Sequence, residues 1–151
     1  MDKGVLGTNM VTQIGIVVKD IKETSKNYAQ FLGLPQPEII LTDTVDKTRA
    51  MYKGEPCVAR AYLAFFKVGE LLEIELIQPD EHPSTWREFL DTKGEGIHHI
   101  AFNIKDTNVK IKKLQDMDMP LIQRGEYEGG RYVYIDALKD LKVIIETLEN
   151  D

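Results

Sequence analysis

The sequence predicts an α+β fold of two tandem β-α-β-β-β modules, and three observations carry that prediction. The first is an internal repeat: "QIGIVVKDIKETSKNYAQFLGLP" (13–35) resembles "HIAFNIKDTNVKIKKLQDMDMP" (99–120). Each is an apolar strand, a Lys-Asp dipeptide and an amphipathic helix that stops before a proline. The second is that "YLAFFKVGELLEIELIQP" (62–79) and "YVYIDALKDLKVIIETLEN" (132–150) each read as two apolar strands around a short polar turn. The third is the segment between the copies, "QPDEHPSTWREFLDTKGEG" (78–96), whose apolar stripe of Trp86, Phe89 and Leu90 ends at Gly94 and Gly96 and predicts a connecting helix near 84–93.

The elements follow in chain order. Gln13 opens the first strand, Asp20 stands at the N-cap of the first helix with Glu23 at capping-box spacing, and Gly33 ends that helix. Ile21, Tyr28, Phe31 and Leu32 fall on its apolar side. A strand at about 38–45 and a pair turning at Gly69-Glu70 complete a first module over 11–79. The linker helix occupies 80–96, with Thr85 and Glu88 at capping-box spacing. The second module, 97–149, repeats the order: a helix capped by Asp106 with Ile111, Leu114 and Met117 on one side, a strand at about 121–126, and a pair turning at Lys139-Asp140. Together they make one domain.

Composition bounds the function. With 151 residues, 42% hydrophobic and 29% charged, the chain has ordinary globular make-up. A net charge of −6 without a basic block disfavours nucleic acid or an anionic membrane as partner, so a small-molecule substrate is expected. Cys57 is the only cysteine, which excludes an internal disulfide and fits a reducing compartment. A nucleophilic Cys57 would need a base that its sequence neighbours do not supply, so it reads as a core residue. The N-terminal stretch has neither a signal-type apolar core nor a basic leader, and no apolar run is long enough to span a membrane, so a cytoplasmic location is expected.

The candidate site comes from superposing the repeats. Gln13 then matches His99, and Glu75 in "EIELIQP" matches Glu146 in "IIETLE". A carboxylate among apolar neighbours is costly unless it is paired or coordinates a cation. The bland reading is that Glu73 and Glu75, two apart on one strand, mark a wet face, and that a lone His99 is a structural histidine. His98 should point to the opposite face, in a packing or supporting role. His82 reads as a solvated linker residue, and "EGGR" (128–131) as a turn, since it lacks the strand-turn-helix setting of a phosphate loop.

Over residues 11 to 149, "QIGIVVKDI", "IELIQP", "GEGIHHIAF" and "VIIETLE" resemble the vicinal oxygen chelate superfamily of glyoxalase I, methylmalonyl-CoA epimerases, extradiol dioxygenases and bleomycin-resistance proteins, the epimerase branch above all. The resemblance implies a curved, half-open mixed sheet around a shared cleft. It also implies that Gln13, Glu75, His99 and Glu146 hold one divalent ion. Gln13 departs from the histidine usual at that position; one nitrogen and three oxygens favour Mn²⁺ or Co²⁺ over tetrahedral zinc, with Zn²⁺ or Ni²⁺ as alternatives. The missing second histidine argues against a dioxygenase. The implied activity is a metal-dependent epimerase or isomerase, in which Glu146 moves a proton beside a thioester carbonyl of an acyl-CoA, with Glu55 as candidate second base. A glyoxalase I-type lyase and a metal-free ligand-binding or resistance protein are the alternatives. A homodimer is expected by the same resemblance.

Overall fold

A computed structural model describes residues 3–151. The elements are β1 (Gln13–Val17), α1 (Ile21–Leu32), β2 (Ile40–Leu41), α2 (Val45–Thr48), β3 (Met51–Tyr52), β4 (Glu55–Pro56), β5 (Ala61–Val68) and β6 (Leu72–Pro79). Then come α3 (Thr85–Lys93), β7 (Gly96–Asn103), α4 (Thr107–Asp116), β8 (Leu121–Tyr127), β9 (Gly130–Ala137), α5 (Leu138–Leu141) and β10 (Val143–Asn150). All ten strands join one sheet in the order β2-β5-β6-β1-β7-β10-β9-β8-β3-β4. The order is mirrored about the β1–β7 seam. β1 runs parallel to β6, β7 runs parallel to β10, and β1 meets β7 antiparallel.

The sheet curls. Ile40 and Leu41 of β2 and Glu126 and Tyr127 of β8 stand near opposite ends of the strand order, yet they line one cavity. A flat sheet could not bring them together. The helices α1 and α4 cover the outer face. Ile21 and Ala29 pack with Ala64, Phe66 and Leu76, while Ile111 and Leu114 pack with Val133, Ile135 and Ile145. Fully burying each large side chain there contributes about 1.5–3 kcal/mol. Phe31, counted by periodicity to the apolar side of α1, is 85% exposed, because the buried stripe narrows to Ile21, Ser25 and Ala29. Met117 is likewise exposed, beyond the last helical turn of α4.

Local signals explain most element ends. The Asp20 carboxylate accepts from the Glu23 N–H at 3.1 Å, and Gly33 closes α1 in the left-handed conformation at φ 68°. The cap of α3 is Ser84, which accepts from the Arg87 N–H at 3.0 Å; Thr85 is already helical and its hydroxyl is turned inward. Asp106 makes no side-chain cap. Glu149 of β10 supplies it, accepting from the backbone N–H groups of Asp106 and Thr107 at 3.1 and 3.0 Å. The strand expected over 38–45 shrinks to Ile40–Leu41, and Lys139-Asp140 lies in a single helical turn rather than a tight reverse turn. The hairpin β3–β4 belongs by sequence to the first repeat but pairs with β8 of the second. No helix among the described residues is long and apolar enough to cross a membrane.

Candidate functional site

Strand alternation delivers four polar side chains to the concave face. On β6, Ile74 and Leu76 face α1, so Glu73 and Glu75 face the cavity. On β10, Ile145 packs beneath α4 and Glu146 points the other way. Gln13 opens β1, and His99 lies on β7. The four strands are neighbours, β6-β1-β7-β10, so the side chains meet across the seam. Gly15 pairs in register with both Glu75 and His99, and a Cβ placed on it would land on the His99 ring. The glycine is the notch that lets the imidazole lie across β1 toward Glu75.

Around His99 Nε2, Gln13 Oε1 stands at 2.9 Å, Glu146 Oε2 at 2.6 Å and Glu75 Oε1 at 3.5 Å. All four residues are buried. A neutral imidazole has at most one proton for that corner. The ring nitrogen is aligned for Gln13, and Glu75 Oε1 and Glu146 Oε2 are buried without any hydrogen-bond partner. Three acceptors crowding one ring nitrogen, two of them orphaned, suit a cation rather than a proton. Ligand atoms of Glu75, His99 and Glu146 lie within 4.8 Å of one another, a fitting span for one divalent ion. The donor set, one imidazole nitrogen with hard oxygens, matches the ions that such a site takes.

The distance between His99 and Glu146 is that of an ion pair, yet burial drives both groups toward their neutral forms. Desolvation lowers the His99 imidazole to about 3 and raises the Glu146 carboxyl to about 8, a hydrogen bond from Tyr134 opposing the latter rise. Glu75 is raised well above the usual carboxylate range, first by burial and then by Glu146 and Glu73. A divalent cation held by these groups would instead keep both carboxyls ionised and the imidazole neutral, the forms that ligate.

His98 is not on the opposite face. Gly15 pairs with His99 and Ile16 with Ile97, so His98 is the extra residue of a β-bulge in β7. The bulge turns the two consecutive imidazoles to one side, where both meet Tyr134, at ring-centroid distances of 5.1 and 5.2 Å. Their Nδ1 atoms face each other at 2.9 Å, and His98 Nε2 meets Thr85 Oγ1 at 3.1 Å. For His99 to offer the Nε2 lone pair to a cation, its Nδ1 must carry the proton and donate to His98 Nδ1. His98 then donates from Nε2 to Thr85. The chain of contacts thus has room for the tautomer that a ligating histidine needs.

The cavity in front of this cluster holds about 450 Å³. Trp86, Tyr132 and Tyr134 form an aromatic wall, with Trp86 Nε1 donating to the Tyr134 hydroxyl at 3.0 Å. Glu55 lies exposed on β4, outside the cavity wall. Cys57 is buried, its thiol against the Pro83 carbonyl, and His82 is half-exposed beside Glu81. Sequence reasoning passed over Gly15 and Tyr134, and read Glu73 as part of a wet face and Thr85 as a helix cap. Gly15 gave a local signal, a glycine inside an apolar strand, and Glu73 shares its face with Glu75 by alternation.

Comparison with known proteins agrees with this architecture. Residues 12–135 match the family described as the Glyoxalase/Bleomycin resistance protein/Dioxygenase superfamily. The uncharacterized protein YqjC of Bacillus subtilis (strain 168) is 29% identical over 144 residues, covering 93% of this chain and 92% of that one. Among solved structures, methylmalonyl-CoA epimerase from Mycobacterium tuberculosis is similar with a TM-score of 0.62 and 24% identity, covering 100% of this chain and 93% of that one. A Streptomyces coelicolor methylmalonyl-CoA epimerase in complex with 2-nitronate-propionyl-CoA gives a TM-score of 0.61 and 20% identity, covering 93% and 96%. With the mirrored modules, the shared cleft and a family match over most of its length, the chain belongs to the glyoxalase/bleomycin resistance/dioxygenase superfamily.

Proposed function

We propose that this protein is a metal-dependent isomerase that shifts a proton at the carbon beside a carbonyl, in the manner of an epimerase acting on an acyl thioester. Gln13, Glu75, His99 and Glu146 hold one divalent cation, Co²⁺ or Mn²⁺, and Glu146 carries the proton. The observation that supports this reading most is the convergence of three oxygens on His99 Nε2 with Glu75 and Glu146 left orphaned. The likeness to methylmalonyl-CoA epimerases supports the reaction class. A homodimer in the cytoplasm completes the proposal.

When bound, the cation supplies positive charge next to the carbonyl oxygen on which negative charge develops. The chain does the rest. Glu146 faces the cavity from β10 and accepts the proton as the C–H bond breaks and its electron pair moves into the carbonyl; inversion is completed when a second acid delivers a proton to the opposite face of the enolate. Tyr134 and Trp86 orient the Glu146 side and exclude water from the wall. With Glu55 outside the wall, a two-base scheme draws on Glu73, Asp43 or Glu126, the remaining carboxylates of the cavity.

Elemental analysis of protein purified without chelator and deuterium exchange from D₂O test the proposal together. Exchange at the carbon beside the carbonyl of an acyl thioester is expected with Co²⁺ or Mn²⁺, falling by about 10² in Glu146→Gln. Exchange confined to thiol adducts of dicarbonyl compounds would move the reading to a glyoxalase-type enzyme. Tight ligand binding with no exchange into any substrate would make the protein a binder instead.

A further inference from the structure

The cavity wall is one-sided in charge. Five carboxylates line it, Asp43, Glu73, Glu75, Glu126 and Glu146, and among the described residues no lysine or arginine does. A divalent ion at the cluster balances two of the five. Glu126 has Arg49 at 3.7 Å, but that guanidinium is on the solvent side, 80% exposed, and does not line the wall. The rest of the lining is apolar or aromatic, with Leu63, Phe65 and Leu148 beside the ring wall. The donors on that wall are neutral: the Tyr132 hydroxyl accepts from Gln123 at 3.1 Å, which leaves its own proton to point toward a ligand oxygen.

Resting on the isomerase reading above, we propose that the substrate brings only uncharged oxygens on an apolar body into this cavity, and no carboxylate. The preferred class is a 3-oxo or hydroxy-carbonyl compound, such as a 2-methyl-3-oxoacyl thioester, rather than the carboxylate-bearing malonyl type. An anionic substituent inside the cavity has no cationic side chain to pair with and faces three carboxylates besides the two at the cation. A ketone oxygen in the same place loses nothing, and its alkyl tail meets Leu63, Phe65 and the rings. Any phosphate-bearing portion of a thioester carrier stays outside the wall, in solvent. The reaction balances without a co-reactant: one C–H bond breaks, its electron pair enters the carbonyl, and a proton returns to carbon.

A matched pair of ligands tests this: the N-acetylcysteamine thioesters of 2-methyl-3-oxobutanoate and of methylmalonate, which differ by a methyl in place of an ionised oxygen. Trp86 is the only tryptophan and lines the cavity, so its fluorescence reports occupancy with or without added metal. The neutral thioester is expected to quench Trp86 at least about ten-fold more tightly in metal-free and Mn²⁺-loaded protein alike, and Asp43→Asn/Glu126→Gln is expected to narrow the gap. Deuterium exchange, measured above the uncatalysed rate, is expected to follow the same preference. Equal or tighter binding of the methylmalonyl thioester would overturn the inference while leaving the isomerase reading intact. Preferential binding of the neutral thioester without exchange would support the inference and sink the isomerase reading. Quenching by neither thioester would overturn the inference.

Discussion

Gln13 donates its side-chain amide to Glu73 at 2.9 Å, and this turns its carbonyl oxygen to stand 2.9 Å from His99 Nε2. An ionised carboxylate can only accept, so the atom of Gln13 facing Glu73 must be the NH₂. Glu73 therefore decides which end of the amide faces His99 and the two buried carboxyls. A histidine at position 13 would need no such help.

That dependence gives the first prediction. Glu73→Gln, whose amide can present either a donor or an acceptor, is expected to weaken Co²⁺ binding by about 10-fold. In a Gln13→His background the same change is expected to cost little. Isothermal titration, with the visible absorption of bound Co²⁺ as the second readout, separates the cases. An equal loss in both backgrounds would show that Glu73 acts through its charge and not through the orientation of Gln13.

Gly15→Ala is expected to expel the His99 ring from its place over β1. Overpacking of this kind destabilises by about 1–3 kcal/mol. Thermal melts followed by circular dichroism should show a lower midpoint and, more tellingly, the loss of the upward shift that Mn²⁺ is expected to confer on the parent protein. A retained Mn²⁺ shift would mean that His99 does not need the notch.

His98→Phe keeps an aromatic ring against Phe89 and Tyr134 but removes both ring nitrogens. His99 Nδ1 then loses the partner that can accept its proton, and Thr85 Oγ1 loses its contact. Metal affinity is expected to fall about 10- to 100-fold while the far-ultraviolet spectrum is unchanged. Unchanged affinity by titration would reduce His98 to packing.

The pH dependence of stability is expected to contain a share from Glu149. Hydrogen bonds from the Thr107 side chain and backbone hold this carboxyl at about 2, down from 4.5. A folded-state value below the unfolded one means that the stabilisation is fully present above about pH 4.5 and is lost as pH falls toward 2. Urea midpoints at pH 6 and pH 3 should therefore differ more for the parent than for Glu149→Gln. Parallel losses in the two proteins would remove Glu149 from the account.

The repeat made much of this fold readable, because strand, Lys-Asp and helix recur with the same spacing and pair Gln13 with His99 and Glu75 with Glu146. What stayed hidden depends on register. Alternation sent His98 to the wrong side because a bulge inserts one residue, and a bulge leaves no period in the sequence. Glu73 meets Gln13 only because β6 lies parallel to β1 with Gln13 opposite Glu73. The hairpin β3–β4 is too short, two residues a side, for any hydrophobic period to announce it.

That hairpin also bears on how the chain reaches its folded state. Met51 and Tyr52 find their outer partners in Arg124 and Gln123, which leave the ribosome long after them. The first half is synthesised with one side of β3 unpaired, and sequence-distant pairing of this kind slows folding. A chain cut between Lys93 and Gly96 would yield two pieces, each missing backbone partners that only the other supplies, and the native sheet would form only when both are present.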